Sequence, residues 1–126
     1  MWHIGGAGVA GSYLYRRLKD SGFDISIYDP KRHDYYIPCG FATNRYHISK
    51  FLGNVSIPTD EILEQEADEI KISGNNFSDS NFLPKGLCTI DKMKMEKLMV
   101  KNDVVNRFII PHDSEKIIDA TGISGY

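Results

Sequence analysis

No apolar stretch in the sequence approaches the roughly 18 to 20 residues that a membrane-crossing helix needs. The start lacks a basic region leading into an apolar run, so no secretory leader is expected. Cysteine is scarce: Cys39 and Cys88 are far apart and lack metal-ligand spacing, which argues against a disulfide framework and makes a reducing cytoplasm the expected compartment. The histidines His3, His33, His47 and His112 make no H-x-x-x-H group, and there is no C-x-x-C, so no metal site is expected. Charge of one sign is also missing. A formal net charge of -2 gives no reason to expect nucleic acid or an anionic membrane surface as partner.

What is present is an ordinary globular composition, 41% hydrophobic and 25% charged over 126 residues. That length suits one domain with a real core, and no repeat, low-complexity tract or linker divides it. The pattern predicts a very short strand over 1–5 and a helix over 9–21, with Leu14 and Leu18 sharing a face. Gly22 follows where a left-handed C-terminal residue is wanted. "FDISIYD" alternates as a strand does and ends at Asp29, with Pro30 blocking its extension. Strand, helix and strand in so short a span make a βαβ unit and predict a parallel sheet. From Pro30 to about Asn54 the chain reads as irregular. Beyond it "EADEIKISG" reads as a strand, "NNFSDSNFLPKG" as a polar turn region and "LCTI" as a short strand. A helix is expected from Asp91, its N-cap, to about Lys101, burying Met95, Leu98 and Met99. "DVVNRFIIP" and "EKIIDAT" read as two closing strands, and "DEILEQEADE" as a solvated acidic face.

"GAGVAG", Gly6 to Gly11, fits G-x-G-x-x-G between the first strand and the first helix. In that pattern Gly6 permits the tight turn and Gly8 lets a pyrophosphate approach bare backbone. Gly11 allows close helix-to-strand packing, and the helix N-terminus offers unpaired N–H groups. Asp29, at the end of the second strand, can accept the ribose hydroxyls of an adenosine, and an acid there disfavours a 2′-phosphate. The dinucleotide-site candidates are Gly6, Gly8, Ala10, Gly11, Asp29 and Pro30. The basic residues Arg16, Arg17, Lys31 and Arg32 read as solvated surface charge. One residue departs from the pattern: Tyr15 stands four past Gly11, where Gly or Ala is usual at the helix–sheet crossing. It requires either a wider crossing or a tyrosine turned aside.

The glycine motif alone does not separate FAD from NAD. The order of four stretches resembles the geranylgeranyl reductase family of FAD-dependent oxidoreductases, many of them archaeal. "GGAGVAG" is similar to the family's opening motif, and "IPCGFAT" to its Pro-Cys-Gly turn at Pro38, Cys39 and Gly40. "GLCTIDKMKMEKLM" loosely matches a mid-chain strand and helix start, and Ala120, Thr121 and Gly122 match its Ala-Thr-Gly turn. The resemblance implies an α/β, Rossmann-like FAD/NAD(P)-binding domain with a parallel sheet and FAD as cofactor, NAD being the alternative. It implies Cys39 as candidate catalytic residue near the reducible double bond of an isoprenoid lipid. Gly40, Ala120, Thr121 and Gly122 would then lie toward the flavin.

The same resemblance implies a longer enzyme. Family members carry a substrate-binding sheet and a further FAD-contacting Gly-Asp segment, and neither is present here. The stretch ending "IIDAT" leaves room for a hairpin at most where the family has a meander. Residues 1–126 therefore read as a single FAD-binding domain, the N-terminal portion of such a reductase, with the substrate domain absent and activity alone not expected. An isoprenoid substrate is expected only where a substrate domain is supplied, and peripheral membrane contact only for the complete enzyme. Two other readings stand beside it: a flavin monooxygenase-like or NAD-binding enzyme domain, and a truncated non-catalytic nucleotide-binding or interaction module.

Overall fold

The computed structural model describes residues 1–30, 39, 41–105 and 116–122. They belong to two compact units: Met1–Pro38 with Lys92–Tyr126, and Cys39–Asp91.

The first unit is built on strands β1 (Trp2–Gly5), β2 (Ile25–Tyr28), β6 (Val104–Val105) and β7 (Ile117–Asp119), with helices α1 (Val9–Asp20) and α3 (Lys92–Val100). Its sheet runs in the order β6-β2-β1-β7, and every adjacent pair is parallel. The register sets Ile4 beside Ile27 and Ile118, so three isoleucines share one face. That face carries the core, where Ile4, Ile25 and Ile27 pack with Ala7, Tyr15 and Val100, and Leu14 and Leu18 of α1 lie against them. Ile4 and Ile27 are fully buried, each contributing about 1.5–3 kcal/mol through removal of its side chain from water. On the opposite face, His3 Nδ1 and the Tyr28 hydroxyl are 3.0 Å apart, so two buried polar groups satisfy each other.

Helix α1 ends as its sequence predicts. Gly22 takes φ +82°, its N–H donates to the Lys19 carbonyl, and Phe23 N–H donates to the Leu18 carbonyl. Helix α3 starts one residue after Asp91 and lies against α1. Met95 and Met99 are buried in it and Leu98 partly so, and Glu96 is also buried, 2.5 Å from Lys92 Nζ one turn earlier.

The second unit holds β3 (Ala42–Asn44), α2 (Arg45–Gly53), a 3-10 turn (Thr59–Glu61), β4 (Leu63–Gly74) and β5 (Phe77–Ile90). Its antiparallel sheet has the order β3-β5-β4, and its buried side chains include Leu52, Val55, Ile62, Cys88 and Ile90. Two expectations are corrected here. The stretch read as irregular contains α2, whose start is capped by Asn44: its side-chain oxygen accepts from Tyr46 N and His47 N at 2.9 and 3.3 Å. The polar turn region is mostly strand. Only residues 75 and 76 turn the chain, and β5 runs from Phe77 into "LCTI". The described β4 side chains from Glu64 to Gly74 are exposed, Ile72 included, so burial of an apolar face is not what holds this ribbon. Backbone pairing from Glu69↔Phe82 to Gly74↔Phe77 holds it instead. The acidic run is solvent-facing as read, and Arg45 gathers two of its members, Asp60 at 3.0 Å and Glu66 at 2.6 Å. Of the two closing strands, Val104–Val105 and Ile117–Asp119 are seen, and residues 106–115 lie outside the described ones.

Candidate functional site

The candidate site lies where β1 delivers the chain to α1. β1 stops because Gly6 turns, at φ +98°, with its N–H donating to the Tyr28 carbonyl at 2.7 Å. A side chain on Gly6 would run into the Ala120 carbonyl and come within 2.9 Å of Thr121 N, so the close approach of two backbones requires glycine. At Gly11 a Cβ would collide with the Gly6 carbonyl. Gly8 differs in kind, since a Cβ there would have nothing within 4 Å. Its backbone is extended (φ -72°, ψ -171°), and it serves as N-cap of α1 without any side-chain cap. The open space therefore lies in front of bare backbone at the positive end of a 12-residue helix, a suitable place for a phosphate anion. Ala10, in the first turn of that helix, is exposed.

Asp29 follows β2 and is buried, at 7% exposure. Its Oδ2 accepts the Ala7 N–H at 2.5 Å, a tie from the second strand to the middle of the glycine turn. Ser12 Oγ donates to the Ala7 carbonyl at 2.9 Å. Pro30 beside it is exposed.

The turn after β7 joins the same place. Ala120 N–H donates to the Gly5 carbonyl at 2.7 Å, which continues the β1–β7 pairing up to the glycine turn. Asp119 Oδ1 accepts from both Thr121 N (2.9 Å) and Thr121 Oγ1 (2.6 Å), fixing the turn locally. The Thr121 hydroxyl, followed by its backbone N–H, favours the Asp119 carboxylate and lowers its pKa from the ordinary value. Gly122 takes φ +75° with open space around it. The structure thus brings Gly6, Gly8, Gly11, Asp29, Ala120 and Thr121 to one end of the parallel sheet.

Tyr15 packs into the core between α1 and the sheet, with Ile4, Ile25 and Ile27, and only its hydroxyl reaches out of it. It is buried at 2% exposure, and its hydroxyl donates to Asp103 Oδ2 at 2.8 Å. Burial first, then the hydrogen bond and negative charge of Asp103, push its phenol well above the ordinary tyrosine range. Cys39 belongs to the second unit, where it is exposed and its Sγ accepts from Phe41 N at 3.4 Å. Pro38 and Gly40 lie outside the described residues.

Sequence reasoning missed three participants. Ala7 acts through its backbone alone, so its side-chain identity carries no signal. Asp103 is an ordinary loop acid until the fold sets it against Tyr15. Asp119 left a readable trace, because Asp-x-Thr is a pattern that closes a local turn. Among the described residues no cluster of three or more His, Cys, Asp or Glu could hold a metal ion, and no helix is long and apolar enough to cross a membrane.

A parallel sheet with a glycine turn leading into a helix defines a class of α/β folds, and comparison with solved structures places the chain within it. It aligns with a crystal structure from Photorhabdus luminescens subsp. laumondii TTO1, proposed to be an FAD-containing monooxygenase, at a TM-score of 0.56 and 17% identity. The alignment covers 88% of this chain and 32% of that one, and the likeness is one of fold. In sequence, the chain is 33% identical over 129 aligned positions to an uncharacterized protein of Methanocaldococcus jannaschii. That match takes in 94% of this chain and 33% of the relative, so the chain spans about a third of the relative's length. No protein-family model matches the sequence.

Proposed function

We propose that the chain is the FAD-binding part of a flavin-dependent oxidoreductase, a Rossmann-like domain resembling those of geranylgeranyl reductases. The observation that carries this reading is the open space at Gly8. Of Gly6, Gly8 and Gly11 it is the one whose missing side chain is not accounted for by neighbouring protein atoms. The donor set around it suits a dinucleotide: unpaired N–H groups at the start of α1 for the pyrophosphate, and an acid at the end of β2 on the ribose side. The fold likeness to an FAD-containing protein supports flavin over nicotinamide as the cofactor.

In this reading Gly8 and the first turn of α1 bind the pyrophosphate, and Asp29 orients the adenosine half. Ala120 holds the last turn against Gly6, and Thr121 and Gly122 line the path toward the flavin. A bound flavin supplies hydride, and reduction of an isoprenoid double bond belongs to a longer protein that encloses the ring and the lipid. Cys39 is the candidate residue beside that substrate. The Pro-Cys-Gly resemblance supports this finer assignment.

The test is direct. Purified chain incubated with FAD and then desalted retains flavin absorbance in about a one-to-one ratio. A colourless protein under those conditions overturns the reading.

A further inference from the structure

A carboxylate as buried as Asp29 is stable only where donors meet it. One of its donors is the N–H of Ala7, the residue between Gly6 and Gly8, at 2.5 Å. The carbonyl of that same residue accepts from Ser12 Oγ at 2.9 Å. The two peptide planes flanking Ala7 are therefore each held by a side chain, one from the end of β2 and one from α1. They lead directly into Gly8, where the open space lies. Gly6 is fixed by its bond to the Tyr28 carbonyl and its packing against Ala120. Gly8 has no side chain to restrain it, so the peptides leading into it depend on these ties. Ordering such a segment on binding costs affinity, and ordering it beforehand avoids that cost.

We propose that Asp29 is a positioning residue: through the Ala7 N–H it holds the glycine turn in its binding shape, independently of any contact with ribose. The inference rests on the dinucleotide reading of this site. The two roles separate with a ligand that lacks the hydroxyls. An acid acting on ribose alone matters for ADP and not for 2′,3′-dideoxy-ADP, whereas an acid that shapes the turn matters for both.

The experiment measures binding of ADP and 2′,3′-dideoxy-ADP by calorimetry to the wild-type chain, Asp29→Asn and Asp29→Ala. Amide hydrogen exchange of Ala7 is followed in the nucleotide-free proteins. Asp29→Ala is expected to weaken both nucleotides about tenfold, the loss of one charge-assisted hydrogen bond, and to speed Ala7 exchange by about the same factor. Asp29→Asn, whose amide oxygen can accept the same N–H, is expected to recover most of the dideoxy-ADP affinity and most of the protection. Unchanged dideoxy-ADP binding in Asp29→Ala overturns the proposal, because it assigns the acid to ribose alone. Where Asp29→Ala does not fold, wild type and Asp29→Asn decide: a fast-exchanging Ala7 amide in wild type overturns the proposal, and slow exchange in both supports it. A wild-type chain that keeps Ala7 protected yet binds neither nucleotide overturns the dinucleotide reading and the positioning role with it. The exchange data distinguish that outcome from a missing brace.

Discussion

Tyr15 shows how a residue that breaks a motif can belong to the fold. A small side chain at this position would let α1 approach the sheet without obstruction. Here the aromatic ring joins Ile4, Ile25 and Ile27 in the core, and its hydroxyl reaches Asp103 just beyond α3. Tyr15→Phe keeps the ring and leaves Asp103 without this donor, with an expected loss of about 1–2 kcal/mol at pH 8 in denaturant titrations. The pH dependence follows from the raised phenol pKa. The folded chain holds the neutral form, so this contribution is complete below the unfolded tyrosine value of about 10 and declines as pH rises beyond it. Wild type should therefore lose its advantage over Tyr15→Phe as pH rises from about 10 to 12, and fall below the variant at the top of that range. The slope approaches about 1.4 kcal/mol per pH unit above roughly pH 11. A gap that stays constant between pH 8 and pH 11 contradicts the assignment.

Elements with strong local signals were legible in the sequence, and those held by distant pairing were not. β1, α1 and β2 announce themselves through glycine placement, a helical apolar stripe and β-branched alternation, and the ends of α1 fall within one residue of expectation. In the β4–β5 ribbon only "EADEIKISG" and "LCTI" carried such a signal, and the stretch between them did not. The described side chains of the ribbon's outer part are exposed to water, Ile72 and Phe77 among them, so its strand character rests on backbone pairing more than on burial. The α2 helix is only nine residues long, so its apolar positions Ile48, Phe51 and Leu52 give too short a pattern to mark it in the sequence. Asn44 was the available clue. Asn44→Ala should destabilise the second unit by about 1 kcal/mol through loss of the cap, and Asn44→Asp should restore most of it. Equal stability of Asn44→Ala and wild type in chemical denaturation contradicts that role for the side chain.

At the scale of the whole molecule, the first unit is discontinuous in sequence, with β7 returning beside β1 after the second unit has been completed. This pairing sets Ala120 against Gly6, so the glycine motif and the Ala-Thr-Gly turn share one end of a sheet although nearly the whole chain separates them. The individual motifs could be read from residue spacing, whereas their juxtaposition was implied only by the family resemblance, because it depends on strand order. The brace from Asp29 to Ala7 was hidden, since one partner is a backbone amide. The space before Gly8 is empty of neighbouring protein atoms, and the proposed function assigns it to a dinucleotide. The most direct test of that assignment is an FAD titration of Gly8→Val beside wild type, with thermal unfolding of both as the folding control. A valine there meets no protein atom within 4 Å at its Cβ, so the account predicts near wild-type unfolding with FAD affinity reduced about a hundredfold or more, since the side chain fills the phosphate site. Equal FAD binding by the two folded proteins, or none by either, would contradict it.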